Sequence, residues 1–170
     1  MSDTPTPVAA ATANPDSPAD LLGRYRSGAT VLRDAIAGLD AAALRARPIA
    51  GKMSSLEVVA HIVDADQFMC DRMKRTIATD RPLLMGVDGI AYLEKLRYDD
   101  RDPQLDIRLL EIQREQMAAD LQLVPAEAWE RAAIHSEVGL LTVRQLLAHA
   151  VRHLESHVEA IAEKRAALGL

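Results

Sequence analysis

One cysteine, one tryptophan, one phenylalanine and three tyrosines are all that 170 residues contain of those types. The lone Cys70 excludes an internal disulfide framework and fits a reducing, cytoplasmic setting. Aromatics at 3% argue against a sheet-rich fold; the 49% of hydrophobic residues are dominated by Ala and Leu, which lose little on entering a helix. Basic runs are missing too. The net charge is −5, with acids and bases interspersed, so no stretch can grip a phosphate backbone and nucleic acid is excluded as a partner. Nothing approaches the ~20 consecutive apolar residues of a membrane span. The N-terminus has neither the positive nor the apolar region of a signal peptide. These absences leave about one helical domain, large enough to enclose a core, with no membrane attachment.

Along the chain, residues 1–16 are rich in Pro, Ala and Thr, lack an amphipathic period and read as a mobile tail, leaving 17–170 as the domain. Ser17 and Pro18 suit the cap and first position of a long helix running to about Gly38 and burying Leu21, Leu22, Tyr25, Val31, Leu32 and Ile36. Ser54 and Glu57 form a capping box for a second helix, with Met53 able to staple onto Val58, and it continues to about Thr79, before Arg81-Pro82. A long connection over 81–102 carries a short helix at Ile90–Leu96. Asp102-Pro103 opens the third long helix, which extends to about Val124. After a second connection, 125–141, with a turn near Trp129, Thr142 and Gln145 form another capping box, and the last helix reaches about Ala167 before Gly169. Four long amphipathic helices, no convincing strand and no internal repeat predict an all-α four-helix bundle with long connections between helices two and three and between three and four.

Three of the five histidines, His149, His153 and His157, recur at every fourth position of that last helix. On a helical wheel His153 and His157 fall in the middle of the face occupied by Leu146, Ala150, Ala160 and Ile161, while Glu155 and Glu159 face away. The i,i+4 spacing brings two imidazoles within reach of one ion. His149 and His157 are ~12 Å apart along the axis, too far to share it. His61, on the same wheel face as Val58, Ala65 and Phe68, is the candidate third ligand from the second helix. Periodicity does not say whether the two helices are neighbours, so core imidazoles with satisfied hydrogen bonds are the alternative.

The stretches "RPIAGKMSSLEVVAHIVDAD" and "HSEVGLLTVRQLLAHAVRHLESHVEAI" resemble the DinB/YfiT-like family of bacterial metal-binding four-helix bundles, from about residue 18 to the end of the chain. The first family motif is a G-K-W-S helix start leading to a histidine, and the second a G-x-x-T start leading to H-x-x-x-H. The resemblance implies His61, His153 and His157 as ligands of zinc, nickel or a similar divalent ion. It further implies a homodimer, and activities among metal-dependent hydrolases and thiol S-transferases. Met53 departs from the pattern by standing where the family usually has tryptophan.

Three imidazoles would leave a tetrahedral ion one open position, the mark of a catalytic site. The expected function is therefore a metal-dependent enzyme acting on a small molecule, such as a low-molecular-weight thiol; the alternative is a metal-bearing stress-response or binding protein without turnover. No general base is obvious. Glu57 is committed to its cap. Asp64 could serve as base or support a ligand, although a solvated edge residue is the plainer reading. Arg72, on nearly the same face as His61, could hold an anion or sit in a buried salt bridge. His135 could line the mouth of the site, His149 packs beside it, and Tyr92 and Tyr98 could cover it. Cys70, pointing away from His61, reads as a core residue.

Overall fold

A computed structural model describes residues 16–170, so the tail expected over 1–16 lies, but for Asp16, outside the described residues. The four long helices are α1 (Pro18–Ala35), α3 (Ser55–Ala78), α5 (Pro103–Leu123) and α6 (Val143–Ala167). Their starts are the ones the local chemistry dictates. Ser17 caps α1 by accepting from the Asp20 amide, and Asp102 caps α5 by accepting from Gln104. Both capping boxes, Ser54 with Glu57 and Thr142 with Gln145, are complete.

The order of the helices around the bundle is α1, α5, α3, α6: each of α1 and α3 packs against both α5 and α6. Chain-consecutive α1 and α3 thus lie on one diagonal, as do α5 and α6. A diagonal step needs more chain than a tight turn supplies, and the two steps are made by 36–54 and 124–142. The first contains the short helix α2 (Ala41–Arg45), capped by Asp40 and absent from the sequence reading. The second contains a 3-10 turn at Ala126–Glu130, which holds Trp129, and a hairpin. The remaining connection holds α4 (Gly89–Lys95) and a 3-10 turn at Tyr98–Asp100.

That hairpin corrects the expectation of no strand. β2 (Ala132–His135) pairs antiparallel with β3 (Gly139–Thr142), and the two-residue β1 (Leu83–Leu84) joins β2 in parallel, with Leu83 opposite Ile134 and Ile134 opposite Leu140. Strands of two to four residues, built from Ala and Leu, show too little alternation or β-branching to register as strands. A second correction concerns Val31, which is 40% exposed. The buried stripe of α1 is Leu21, Tyr25, Gly28, Ala29 and Leu32, and Val31 stands about 100° away from its middle at Leu32.

The core is two apolar clusters with a polar layer between them. One gathers Leu21, Tyr25, Cys70, Met73, Met117 and Leu146; the other gathers Ala29, Leu32, Val58, Ile62, Leu110 and Leu154. Val58 shares the second cluster with Leu154 and Met73 the first with Leu146, so α3 and α6 run antiparallel. In the layer between, Arg114 is fully enclosed and donates through Nε and Nη2 to Asp66 Oδ1, at 3.0 and 2.6 Å. It also donates to the backbone carbonyls of Tyr25 (3.1 Å) and Ala150 (3.3 Å). The hydroxyl of Tyr25 and the amide of Gln113 donate to Asp66 Oδ2, and the Tyr25 ring lies 4.3 Å under the guanidinium. Asp66 is thereby saturated, which a buried carboxylate requires.

Gly28 makes room for this. A Cβ at that position would lie 2.1 Å from Arg114 Nη1, whereas Gly23, in the same helix, has nothing within 4 Å. Gly-to-Ala replacement inside a helix ordinarily stabilises by about 0.5–1 kcal/mol. Gly23→Ala is expected to follow that rule in urea denaturation, and Gly28→Ala to reverse it, losing more than about 1 kcal/mol. Equal gains from both would show that the guanidinium does not occupy the place described.

Candidate metal centre

Adjacency of α3 and α6, the point periodicity leaves open, brings His61 to His153 and His157. His61 Nε2 and His153 Nε2 are 3.1 Å apart. Ring centroids are separated by 5.0 Å for His61–His153, 4.8 Å for His61–His157 and 4.6 Å for His153–His157. One donor nitrogen from each ring can be chosen so that all three lie within 4.8 Å of one another, and among the described residues this is the cluster of three such side chains that could hold a metal ion. His149 does not join it; its ring stacks on His153 at 5.9 Å and 17°.

The donor set fits a divalent ion. Two nitrogens bound tetrahedrally at 2.0–2.1 Å are ~3.3 Å apart, close to the His61–His153 separation. The imidazoles must also be neutral. Burial first, then neighbouring His157, His61 and His149, push His153 down to about 3. Burial, then His61 and Lys164, push His157 down to about 4. Burial also lowers His61, against the opposing pull of Asp64. At neutral pH all three present lone pairs rather than positive charge.

The cluster opens on a cavity of about 550 Å³ that His61 and His153 line. Every remaining candidate can now be placed. Asp64 lines the cavity and is 9% exposed, which corrects its reading as a solvated edge residue. Its Oδ2 accepts from the Tyr98 hydroxyl at 2.7 Å and its Oδ1 from Arg101 Nη1 at 2.8 Å; Arg101 also holds Asp106. This network ties the 3-10 turn to α3 beside His61, and leaves Asp64 committed. Tyr98 is buried, and Tyr92 meets Phe68 edge-on at 5.3 Å, so both tyrosines line the cavity as expected. Arg72 lines it too, without the buried salt bridge that was the alternative: it donates to Met85 O at 2.6 Å, and no carboxylate among the described residues lies within 4.0 Å. His135 is buried on β2, lines the cavity, and its Nδ1 accepts from the Glu137 amide. Cys70 is core: burial, then Asp66, push its thiol up to about 11, far from a nucleophile's range. Glu57 keeps its cap and also pairs with Arg47.

Arg101 and Asp106 escaped the sequence reading. Nothing in "YDDRDP" tells which of its charged groups turns inward, because the partner that decides it, Asp64, is 37 residues away.

The lowered values of His153 and His157 set the acid response of the metal-free protein. The unfolded chain, with imidazoles near 6.5, binds more protons than the folded one below that pH. Stability is therefore whole above about 6.5 and is lost as pH falls toward the folded values of about 3 and 4. Urea midpoints of metal-free protein should drop between pH 7.5 and 5, and a His153→Gln/His157→Gln variant should drop much less. Parallel pH profiles would contradict the assignment of these rings as buried and neutral.

The profile of the DinB superfamily matches residues 4–161. Among solved structures the chain is similar to one described as "YfiT from Bacillus subtilis is a probable metal-dependent hydrolase with an unusual four-helix bundle topology", with 19% identity, a TM-score of 0.85, and 96% of this chain and 93% of that one covered. At that identity the likeness carries the fold. No curated protein matches. With nearly its whole length matched, and with the bundle that places His61 against His153 and His157, this chain belongs to the DinB superfamily.

Proposed function

We propose that His61, His153 and His157 hold one divalent ion, zinc or nickel, and that the protein is a metal-dependent enzyme acting on a small molecule, by hydrolysis or by transfer of a low-molecular-weight thiol. The observation that carries this reading is three neutral imidazoles that meet from two helices, with His61 and His153 lining a cavity of about 550 Å³. Structural zinc sites close with four protein ligands, whereas three leave a position for substrate. Bound there, a divalent ion supplies Lewis acidity, lowering the pKa of water or holding a thiol as thiolate.

The chain's own residues do the rest. The network of Tyr98, Asp64 and Arg101 holds the cavity wall over His61 and commits the Asp64 carboxylate beside it. Phe68 and Tyr92 exclude water from the adjoining wall. His149, stacked on His153, has its pKa lowered by burial and by Arg72 and Arg152, so its imidazole is free to take a proton from a donor bound beside it. Asp64, which accepts from Tyr98, Arg101 and Gln67, is not offered as the base.

Protein purified without a histidine tag should carry about one divalent ion per chain by elemental analysis, and His61→Ala and His153→Ala should each lose it. Loaded protein should turn over either a thiol with an electrophile or an ester or amide from a broad panel, with activity abolished by chelation. Full metal occupancy in both variants would defeat the ligand assignment. Metal retained without turnover across the panel would replace the enzyme with a metal-bearing binding protein.

A further inference from the structure

We infer that the end of the cavity remote from His61, His153 and His157 is a carboxylate subsite centred on Arg72, so that the molecules this protein takes carry a metal-seeking donor at one end and an anionic group at the other, joined by an apolar spacer. The inference rests on the three-histidine reading for the donor end. Its anionic end rests on other residues.

His61 and Arg72 are both on α3, eleven residues apart, which is about 16 Å along the axis and only ~20° around it. Both line the same cavity, so that space runs lengthwise between α3 and its antiparallel neighbour α6 rather than ending at the imidazoles. Between the two ends the α3 side is apolar, with Ala65, Phe68 and Met69, while α6 contributes Leu146 together with His149 and Gln145. A spacer of methylene or aryl groups suits the α3 side of that stretch.

Arg72 differs from the other inward-turned arginines. Arg114 has Asp66, and Arg101 has Asp64 and Asp106. Arg72 is half-buried with a single hydrogen bond, to the carbonyl of Met85, and no carboxylate within 4.0 Å among the described residues. It keeps donors that no other side chain takes, and its planar fork matches a carboxylate. The other charges nearby do not cancel it. Glu137, on the exposed turn between β2 and β3 beside Gly86, and Asp71, which pairs with Arg75, attract Arg72 through space, but neither carboxylate lies within 4.0 Å of it. Arg152, at the rim, adds positive charge although Asp16 pairs with it at 2.9 Å. At the donor end Asp64 is held by the Tyr98 hydroxyl and by Arg101, which it shares with Asp106, so part of its charge is offset there.

The test uses the full chain loaded with cobalt(II), whose thiolate-to-metal charge-transfer absorption reports the donor end independently. Three probe series are titrated at increasing chain length: ω-mercaptoalkanoates, the matching ω-mercaptoalcohols and the matching ω-aminoalkanethiols. The acids are expected to bind about tenfold or more tightly than the alcohols at one optimal length, with the amines weakest. Arg72→Met should erase the difference between acid and alcohol while leaving the alcohol's affinity and the absorption band unchanged; Arg72→Lys should restore part of it; Glu137→Gln should preserve it. Equal affinities of acid and alcohol at every length, or a preference for the amine that Glu137→Gln removes, overturn the carboxylate subsite while the metal centre stands. Failure to load cobalt, or absence of the band with every thiol, overturns the metal centre and this inference together.

Discussion

Arg114 ties its own helix to the other three long helices by hydrogen bonds. It rises from α5, binds the carboxylate of Asp66 on α3, and reaches backbone carbonyls of Tyr25 on α1 and Ala150 on α6. A buried ion pair is weak support for net stability, because desolvation offsets much of its attraction. What this one supplies is register. Sliding any helix by a turn would strand a charged group in an apolar cluster, so the layer selects one alignment of four amphipathic rods whose Leu and Ala faces would tolerate several. His61 stands five residues before Asp66, and His153 three after Ala150. The alignment that satisfies Arg114 is the one in which those imidazoles meet.

The diagonal order of the helices has the same consequence at larger scale. Placing α1 opposite α3 and α5 opposite α6 makes α3 and α6 neighbours, though 64 residues separate the end of one from the start of the other. Two of the connections, that between α3 and α5 and that between α5 and α6, also build the cavity. The 3-10 turn carrying Tyr98 is latched to Asp64, and the hairpin brings His135 and Glu137 to the far end. The backbone at Gly89 passes so near His61 that a Cβ there would lie 3.3 Å from its ring. Bundle and connections thus divide the labour: the helices hold the imidazoles, and the connections shape what reaches them.

Much of this was legible in the chain. Capping boxes at Ser54 and Thr142 marked two helix starts because their hydrogen bonds are local, and the i,i+4 pair His153/His157 declared a shared face for the same reason. His61 could be placed on an inward face but not beside the pair, since a wheel describes one helix at a time; the family motifs supplied that join. The short strands were missed because pairing across the sheet, not composition, holds Leu83, Ile134 and Leu140 in line. Asp64 was misjudged as solvated because its partners, Tyr98 and Arg101, arrive from a distant turn. Arg72 was left between two readings, and the absence of a nearby carboxylate, visible only in three dimensions, separates them.

The account stands on a metal ion held by imidazoles alone with a position left open. X-ray absorption at the metal edge of protein isolated with its native ion tests this most directly. Three imidazole nitrogens and one further light-atom scatterer at ~2.0–2.1 Å, with no sulfur, is the predicted shell. A sulfur at ~2.3 Å, or a fourth imidazole closing the sphere, would contradict it.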